Sequence, residues 1–486
     1  MATRMFIDGK WADAADGATA EATSPATGES LGPVAEGSRE DARRAISAAN
    51  AAFQAWAART GFERAALIHR VADACERRRD ELARICTLDQ GKPLRAEAEV
   101  EVGELIEFFR MAAEDAKRLE GRIPESSAPG RRVLLLRRPV GVLGLITPWN
   151  WPYTMPAEVL APALACGCAV VWTPAPTTAV CSGVLAECVT EADLPPGVFN
   201  FVLGPGPEVG DELAANPGTH AVAFTGSTRT GMTVSRRAAG KVQLLEMGNN
   251  GPFVVMDDAD LDAAADAAQV GSFLGGGQSC SAAERILVHE SVREDFVDRL
   301  AALVERDVRL GDPLEEATTL GPLNNEPTAA KMDAHVADAV DRGAAVVTGG
   351  ARADGFPTPL YWPATVLDRV PPDSIAATEE TFGPIAPIVS IGSIEEAIKQ
   401  TNSQAYGLMA AIFTADVGAG LRFADSVQMG LVNVNETTNY WEAHLPWGGS
   451  GRSESGIGRV GGRYPMETLT ELQTVLIRSE PQQPDG

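Results

Sequence analysis

Short apolar runs bounded by turn residues alternate along this chain with stretches whose apolar positions recur every three or four residues. Val133-Leu134-Leu135-Leu136, Val142-Leu143-Gly144-Leu145-Ile146 and Ala169-Val170-Val171-Trp172 belong to the first kind and read as strands buried on both faces. A helix is expected between the last two, at about 155–165. The alternation continues with helices near 180–192, 208–215 and 231–239 and strands at 198–202, 221–224 and 242–245. Units of this length imply a parallel sheet of the doubly wound α/β kind, whose ligands bind at the carboxyl ends of the strands.

A second series begins after Phe253-Val254-Val255-Met256, with helices expected at 292–306 and 328–342 and strands at 345–347 and 388–390. It reads as a second α/β domain of about 180 residues. Ahead of both series, Phe6-Ile7-Asp8-Gly9-Lys10-Trp11 has the form of two short strands around an Asp-Gly turn. Ser38-Arg39-Glu40-Asp41 has the form of a capping box and opens a helix running to about residue 58; further helical patterns cover 63–88 and 95–119. The segment from Glu471 to Arg478 has strand character and must pair with its own sheet or with a neighbouring subunit.

Composition narrows the function classes. A chain of 486 residues exceeds one ordinary core, and 45% apolar residues suffice to fill two or three. Seven cysteines, an odd number with no C-x-x-C pair, argue against a disulfide framework or a thiolate zinc site, so no metal is expected. The start lacks the apolar stretch of a signal peptide and no later stretch is long enough to span a bilayer, so the expectation is a cytoplasmic protein without a membrane partner. A net charge of -25 opposes nucleic acid as a partner.

Five places carry candidate chemistry, four of them with a bland alternative. Cys280 stands in Gly275-Gly-Gly-Gln-Ser-Cys-Ser281, as a nucleophile or as a small hydrophobe. Phe224-Thr225-Gly226-Ser227-Thr228-Arg229-Thr230-Gly231 follows a buried strand and opens a helix, where free N–H groups meet an anion or where Ser227 simply caps the helix. Gly204-Pro-Gly206-Pro-Glu-Val-Gly210 approaches a dinucleotide fingerprint, with the third glycine one position late. Glu246 directly follows an apolar strand, as a general base in a dry cleft or as a solvated strand end. Asn150, in a proline-bounded aromatic turn, either bonds its own backbone or donates to an oxyanion.

Taken together, Pro148-Trp149-Asn150, Phe224-Thr-Gly-Ser227-Thr, Glu246-Met-Gly, Gly277-Gln-Ser-Cys280, Glu380-Thr-Phe382-Gly-Pro384 and Pro446-Trp447-Gly-Gly resemble, in order, the motifs of the NAD(P)-dependent aldehyde dehydrogenase superfamily, over nearly the whole length. The glutamate and cysteine are 34 positions apart, 246 to 280, as in that family. The resemblance implies a doubly wound parallel-sheet cofactor domain (1–120 and 140–251), an α/β catalytic domain (252–448), and a small β oligomerisation arm with a C-terminal segment (121–139 and 449–486). A hairpin near 121–139 pairing with the terminal strand of another subunit implies a homodimer or homotetramer.

The implied reaction oxidises an aldehyde to a carboxylic acid through a thiohemiacetal and a thioester on Cys280, with Asn150 holding the oxyanion, Glu246 activating water and Glu471 relaying protons. For the cofactor, Ser227 with Phe224, Thr225 and Gly226 matches the pyrophosphate loop, Glu380 the carboxylate on the nicotinamide ribose, and Phe382 the ring beside it. Ile146, Thr147, Pro148 and Trp149, Thr173 and Pro174, Gly206 and Gly210, and Met247 and Gly248 complete the implied cofactor set. Where the family commonly has Lys-Pro-x-Glu, this chain has Thr173-Pro174-Ala175-Pro176; the missing glutamate removes the repulsion that excludes a 2′-phosphate and keeps NADP open, but without a cation to pair with that phosphate NAD is the expected cofactor. Matching positions put Trp151, Met155, Glu158, Ser279, Tyr440 and Trp447 around the aldehyde. Relatives that take a terminal carboxylate often carry arginine where Glu158 stands. Rival readings are a CoA-acylating semialdehyde dehydrogenase, disfavoured by Glu246, and a catalytically silent relative with a binding role.

Overall fold

A computed structural model describes residues 2–478. Its first sheet has eight strands in the order Gly456–Ile457, Val242–Glu246, Ala221–Thr225, Val142–Ile146, Ala169–Thr173, Phe199–Phe201, Met5–Ile7 and Lys10–Ala12. The five central strands run parallel and the outer ones antiparallel. Val142–Ile146 has the next strand in sequence, Ala169–Thr173, on one side and the later Ala221–Thr225 on the other, so the winding reverses there and a crevice opens past the carboxyl ends. Two walls of that crevice are therefore fixed by topology: the turn after Ile146 and the turn after Thr225.

The second sheet runs Ala345–Thr348, Thr365–Asp368, Ile385–Ile391, Arg285–His289, Pro252–Val255, Met409–Phe413 and Leu431–Val434, parallel except at its first edge. Both faces are covered. Val254, Leu287, Val389 and Ile412 pack on one side, while their neighbours Phe253, Val255, Ile286, Val288 and Phe413 pack on the other. Side chains alternate across a strand, so burial on both faces requires the continuous apolar runs seen in the sequence.

The helices have legible starts. Ser38 and Asp41 form the expected capping box for Arg39–Ala57, and Thr60 with Glu63 forms another for Gly61–Arg77. The pattern over 63–88 is two helices, because Arg78 leaves helical geometry (φ -105°, ψ 20°) and spends its guanidinium on Glu81 and Glu187 before Arg79–Gln90 begins. Helix Thr154–Cys166 is buried along its whole length and apolar on every side except at Glu158 and Thr154.

Two expectations need correction. Val133 to Leu136 are not buried on both faces; they lie in Arg131–Pro139, a half-covered strand of a two-stranded arm. The terminal strand Thr470–Arg478 pairs with that same strand of its own chain, antiparallel from Thr470 opposite Pro139 to Arg478 opposite Arg131, where a hairpin of another subunit is the expected partner. The two-residue strand Gly456–Ile457, which joins the first sheet beside Leu245 and Glu246, has no signal in the sequence. The tail beyond residue 478 lies outside the described residues.

Candidate active site

Helix Leu261–Phe273 delivers the chain to Gly275, Gly276 and Gly277, all left-handed with φ of 65°, 64° and 67°. Side chains rarely adopt that conformation, and a Cβ on Gly277 would drive into the Gly383 carbonyl. The turn is held from three directions. Gly275 N–H donates to Glu97 Oε1 at 3.0 Å, Gln278 Nε2 donates to the Gly275 carbonyl at 2.9 Å, and Asn324 N–H donates to Gln278 Oε1 at 3.0 Å. Beyond it stands Cys280. Six of the seven cysteines are buried; Cys280 alone is partly open.

Asn150 comes to the same place from the first sheet. Its Nδ2 donates to the Gln278 carbonyl at 2.9 Å, two residues before the cysteine, and an amide nitrogen carries a second hydrogen for another acceptor. Glu246 ends its strand 2% exposed with neither carboxylate oxygen bonded. Gly448 passes so close that a Cβ there would lie 2.7 Å from Glu246 Oε1. Burial and then the neighbouring Glu158 push the Glu246 carboxyl well above the carboxylate range, with Arg459 pulling the other way. Burial also raises the Cys280 thiol, followed by Glu246, Glu380 and Glu158; its own backbone N–H works in the opposite sense.

Two cavities meet at Cys280, which lines both. The larger, about 350 Å³, is walled by Pro148, Trp149, Asn150, Thr225, Gly226 and Ser227 from the first crevice, by Glu246, Met247 and Gly248, and by Glu380 and Phe382 from the second domain. Arg229, from the stretch that follows Ser227, also reaches it, as does Lys331, to which no motif in the sequence points. The residues suit a dinucleotide. Ser227 caps helix Thr228–Arg237 from an exposed position, so the helix N-terminus faces the opening. Trp149 and Phe382 meet edge to face at 5.6 Å as an aromatic wall. Phe382 is held at φ 58° because the Glu284 carboxylate takes the N–H groups of Thr381 and Phe382, at 2.6 and 2.9 Å. Glu380 Oε1 accepts Asn249 N–H at 2.8 Å, which fixes the carboxylate on the cavity wall.

Ile146, Thr147, Thr173 and Pro174 sit at the strand ends beneath this cavity and do not line it; Thr147 Oγ1 accepts Trp172 Nε1–H at 2.8 Å and its N–H donates to the Thr173 carbonyl. Gly210 packs beside Ile146 in the irregular turn Gly206–Gly210 that enters helix Asp211–Ala215, also off the wall. Phe224 is a correction. Its ring lies under Gly226 and Gly231, in an apolar cluster with Val234 and Ala238.

The smaller cavity, about 60 Å³, is lined by Trp151, Met155, Glu158, Ser279 and Trp447 as expected, and also by Glu104, Thr154, Leu274, Ser281, Asn439 and Trp441. Tyr440 is not on the wall; it is 49% exposed and its hydroxyl donates to Glu442, while the next residue, Trp441, turns inward between Phe108 and Trp447. Glu471 is likewise elsewhere, exposed on the terminal strand opposite Arg138 and outside both cavities. Behind the wall, the buried Lys92 ammonium lies 3.7 Å from the Trp151 ring centroid and 2.6 Å from Glu101, whose other oxygen takes the N–H groups of Tyr153 and Thr154. Glu101 and Glu104 occupy adjacent turns of one helix, Glu99–Ala116, and nothing in their spacing distinguishes them from a solvated face.

Residues 11–475 match the model of the "Aldehyde dehydrogenase family". A glutarate-semialdehyde dehydrogenase of Pseudomonas aeruginosa is 38% identical over 97% of this chain and 97% of its own. An NADP(+) succinate-semialdehyde dehydrogenase of Escherichia coli is 37% identical, again over 97% of both chains. Among solved structures, a betaine aldehyde dehydrogenase of Staphylococcus aureus in complex with NAD+ superposes with a TM-score of 0.94 at 33% identity, covering 99% of this chain and 95% of that one.

Proposed function

The chain belongs to the aldehyde dehydrogenase family and oxidises an aldehyde to the carboxylic acid, and from that premise we propose that Cys280 is the nucleophile, Asn150 the oxyanion donor and Glu246 the general base. The observation that carries this reading is that Cys280 lies where the two cavities join, with one side chain facing each need of the reaction. The smaller cavity receives the aldehyde. The larger receives NAD(P) through the Ser227 helix start, the Trp149 and Phe382 rings and the Glu380 carboxylate; when bound, that cofactor supplies the hydride acceptor that turns thiohemiacetal into thioester.

The chain's own groups do the rest. Cys280 Sγ, as thiolate, bonds to the aldehyde carbon. The oxyanion so formed takes the remaining Asn150 Nδ2–H and the Cys280 N–H, each such donor contributing roughly 3 to 4 kcal/mol in comparable sites. Glu246, ionised, removes a proton from the water that attacks the thioester, and the acid leaves with Cys280 restored. No cationic side chain follows Thr173 in the strand-end turn, which favours NAD over its 2′-phosphorylated form. Exposed Leu472, Leu476 and Ile477 on the terminal strand support self-association through the arm.

The test is a panel of aldehydes with NAD or NADP, following reduced-cofactor absorbance. Cys280→Ala is expected to lower turnover by more than about a thousandfold on every aldehyde accepted; full activity in that variant overturns the assignment.

A further inference from the structure

The wall of the smaller cavity has a chemical bias of its own. Among the described residues, two carboxyl groups line it, Glu104 and Glu158, and no arginine, lysine or histidine does. The remaining surface is dominated by the indoles of Trp151, Trp441 and Trp447. Glu158 is 2% exposed and its Oε1 has no hydrogen-bond partner. An unpartnered polar atom at that depth costs free energy unless a ligand completes it. Glu104 Oε2 accepts from Thr154 Oγ1 at 2.8 Å, which fixes its carboxyl at the pocket wall.

Resting on the reading that this cavity receives the aldehyde, we propose that the substrate is a short aldehyde bearing a positively charged nitrogen, held by the Glu104 and Glu158 carboxylates within the tryptophan walls. Indole faces attract cations, and a desolvated carboxylate pairs with an ammonium group more strongly than with any neutral tail. Lys92, behind Trp151, does not oppose this, because its charge is matched by Glu101 at 2.6 Å. A tail ending in a carboxylate, the kind named for the glutarate- and succinate-semialdehyde relatives, meets two acids and no cation here. The protein alone holds the same carboxyls high: burial brings Glu104 to about 7 against the Thr154 bond, with Glu101 adding to it, and burial followed by Glu104 raises Glu158 well above its usual range. A cation entering the pocket supplies the charge that lets them ionise.

Two aldehydes of the same shape isolate the charge: trimethylammonioacetaldehyde and 3,3-dimethylbutanal, with 4-oxobutanoate as the anionic arm. With saturating cofactor, kcat/KM for the cation is expected to exceed that for its neutral isostere by about tenfold or more, with the anion slowest. Glu158→Gln and Glu104→Gln are expected to cut the cation-to-neutral ratio at least about fivefold each; since the ratio is internal to each variant, a partial loss of folded enzyme does not alter it. Independently of any variant, tetramethylammonium chloride is expected to compete with the aldehyde for the wild-type enzyme where sodium chloride at equal concentration does not. A cation-to-neutral ratio of one or less, a ratio unmoved in both variants, or an absence of competition overturns the cation assignment alone. Turnover that survives in Cys280→Ala overturns the catalytic reading beneath it.

Discussion

The Glu246 carboxyl is buried, unbonded and flanked by Glu158, so in the resting site it keeps its proton to well above the usual carboxylate range. A base in that condition is idle until it ionises. Turnover limited by thioester hydrolysis should therefore rise with pH as the carboxyl loses its proton; Glu158, the Cys280 thiol and Arg459 are the charged or titratable groups that set where this happens. Glu246→Gln is expected to lack that limb, to release about one equivalent of reduced cofactor per site in a rapid burst, and then to turn over roughly a hundredfold or more slowly; stopped-flow absorbance reads both, and a variant without a burst removes Glu246 from hydrolysis. The positions of Cys280, Glu246 and Asn150 are legible in the sequence because each sits in a short motif whose order along the chain is distinctive. Glu104 and Trp441 are not, since an acid on an amphipathic helix and a tryptophan in a loop look the same whether they face water or a pocket. Tyr440 and Trp441 are adjacent, and only the backbone decides which of them turns inward.

Among elements, the strands that carry the crevice are readable because burial on both faces leaves an unbroken apolar run. The same signal misleads at Val133 to Leu136, where the run reflects a strand that is only half covered within the folded chain. That half-cover has a consequence for assembly. On the arm, Leu472 and Leu476 are 56% and 69% exposed, and Ile123 beside the hairpin is 77% exposed. Apolar side chains concentrated on a projecting two-stranded ribbon call for a covering surface, and a second copy of the chain is the partner proposed. Leu472→Asp combined with Leu476→Asp should weaken self-association at least about tenfold, read as a lower sedimentation coefficient at equal concentration; an unchanged coefficient excludes the arm as the interface. The helix start at the Ser38 capping box is legible to the residue, but the box at Thr60 opens its helix at Gly61, ahead of the expected 63, and the break at Arg78 depends on Glu187 from a distant helix and has no local signature.

At the scale of the whole molecule, the buried acids set a pH dependence of stability. Burial first holds Asp89, Glu97 and Glu104 at about 7 and Glu284 at about 8, each above its unfolded value. Between the unfolded carboxylate range and pH 7 to 8 the native state therefore binds more protons than the unfolded chain, and stability falls as pH rises. His335, pushed down to about 4 by burial, acts in the opposite direction below pH 6.5, but it is one group against four. The cofactor-free protein should melt on the order of 5 °C lower at pH 8 than at pH 5.5 by calorimetry, and Glu97→Gln should flatten part of that slope; a Tm that climbs over this interval rules out protonated buried acids. One further property follows from the arm, whose strands are 333 residues apart where Arg137 meets Thr470. On a ribosome adding about 5 to 20 residues per second, Arg131–Pro139 emerges on the order of half a minute before the strand that will cover its edge. Both domains can condense in that interval, but the arm stays an open template for any nearby β-edge until the last strand is made. Newly made chains are thus most vulnerable to mispairing just before synthesis is complete, and truncation short of Thr470 makes that vulnerability permanent.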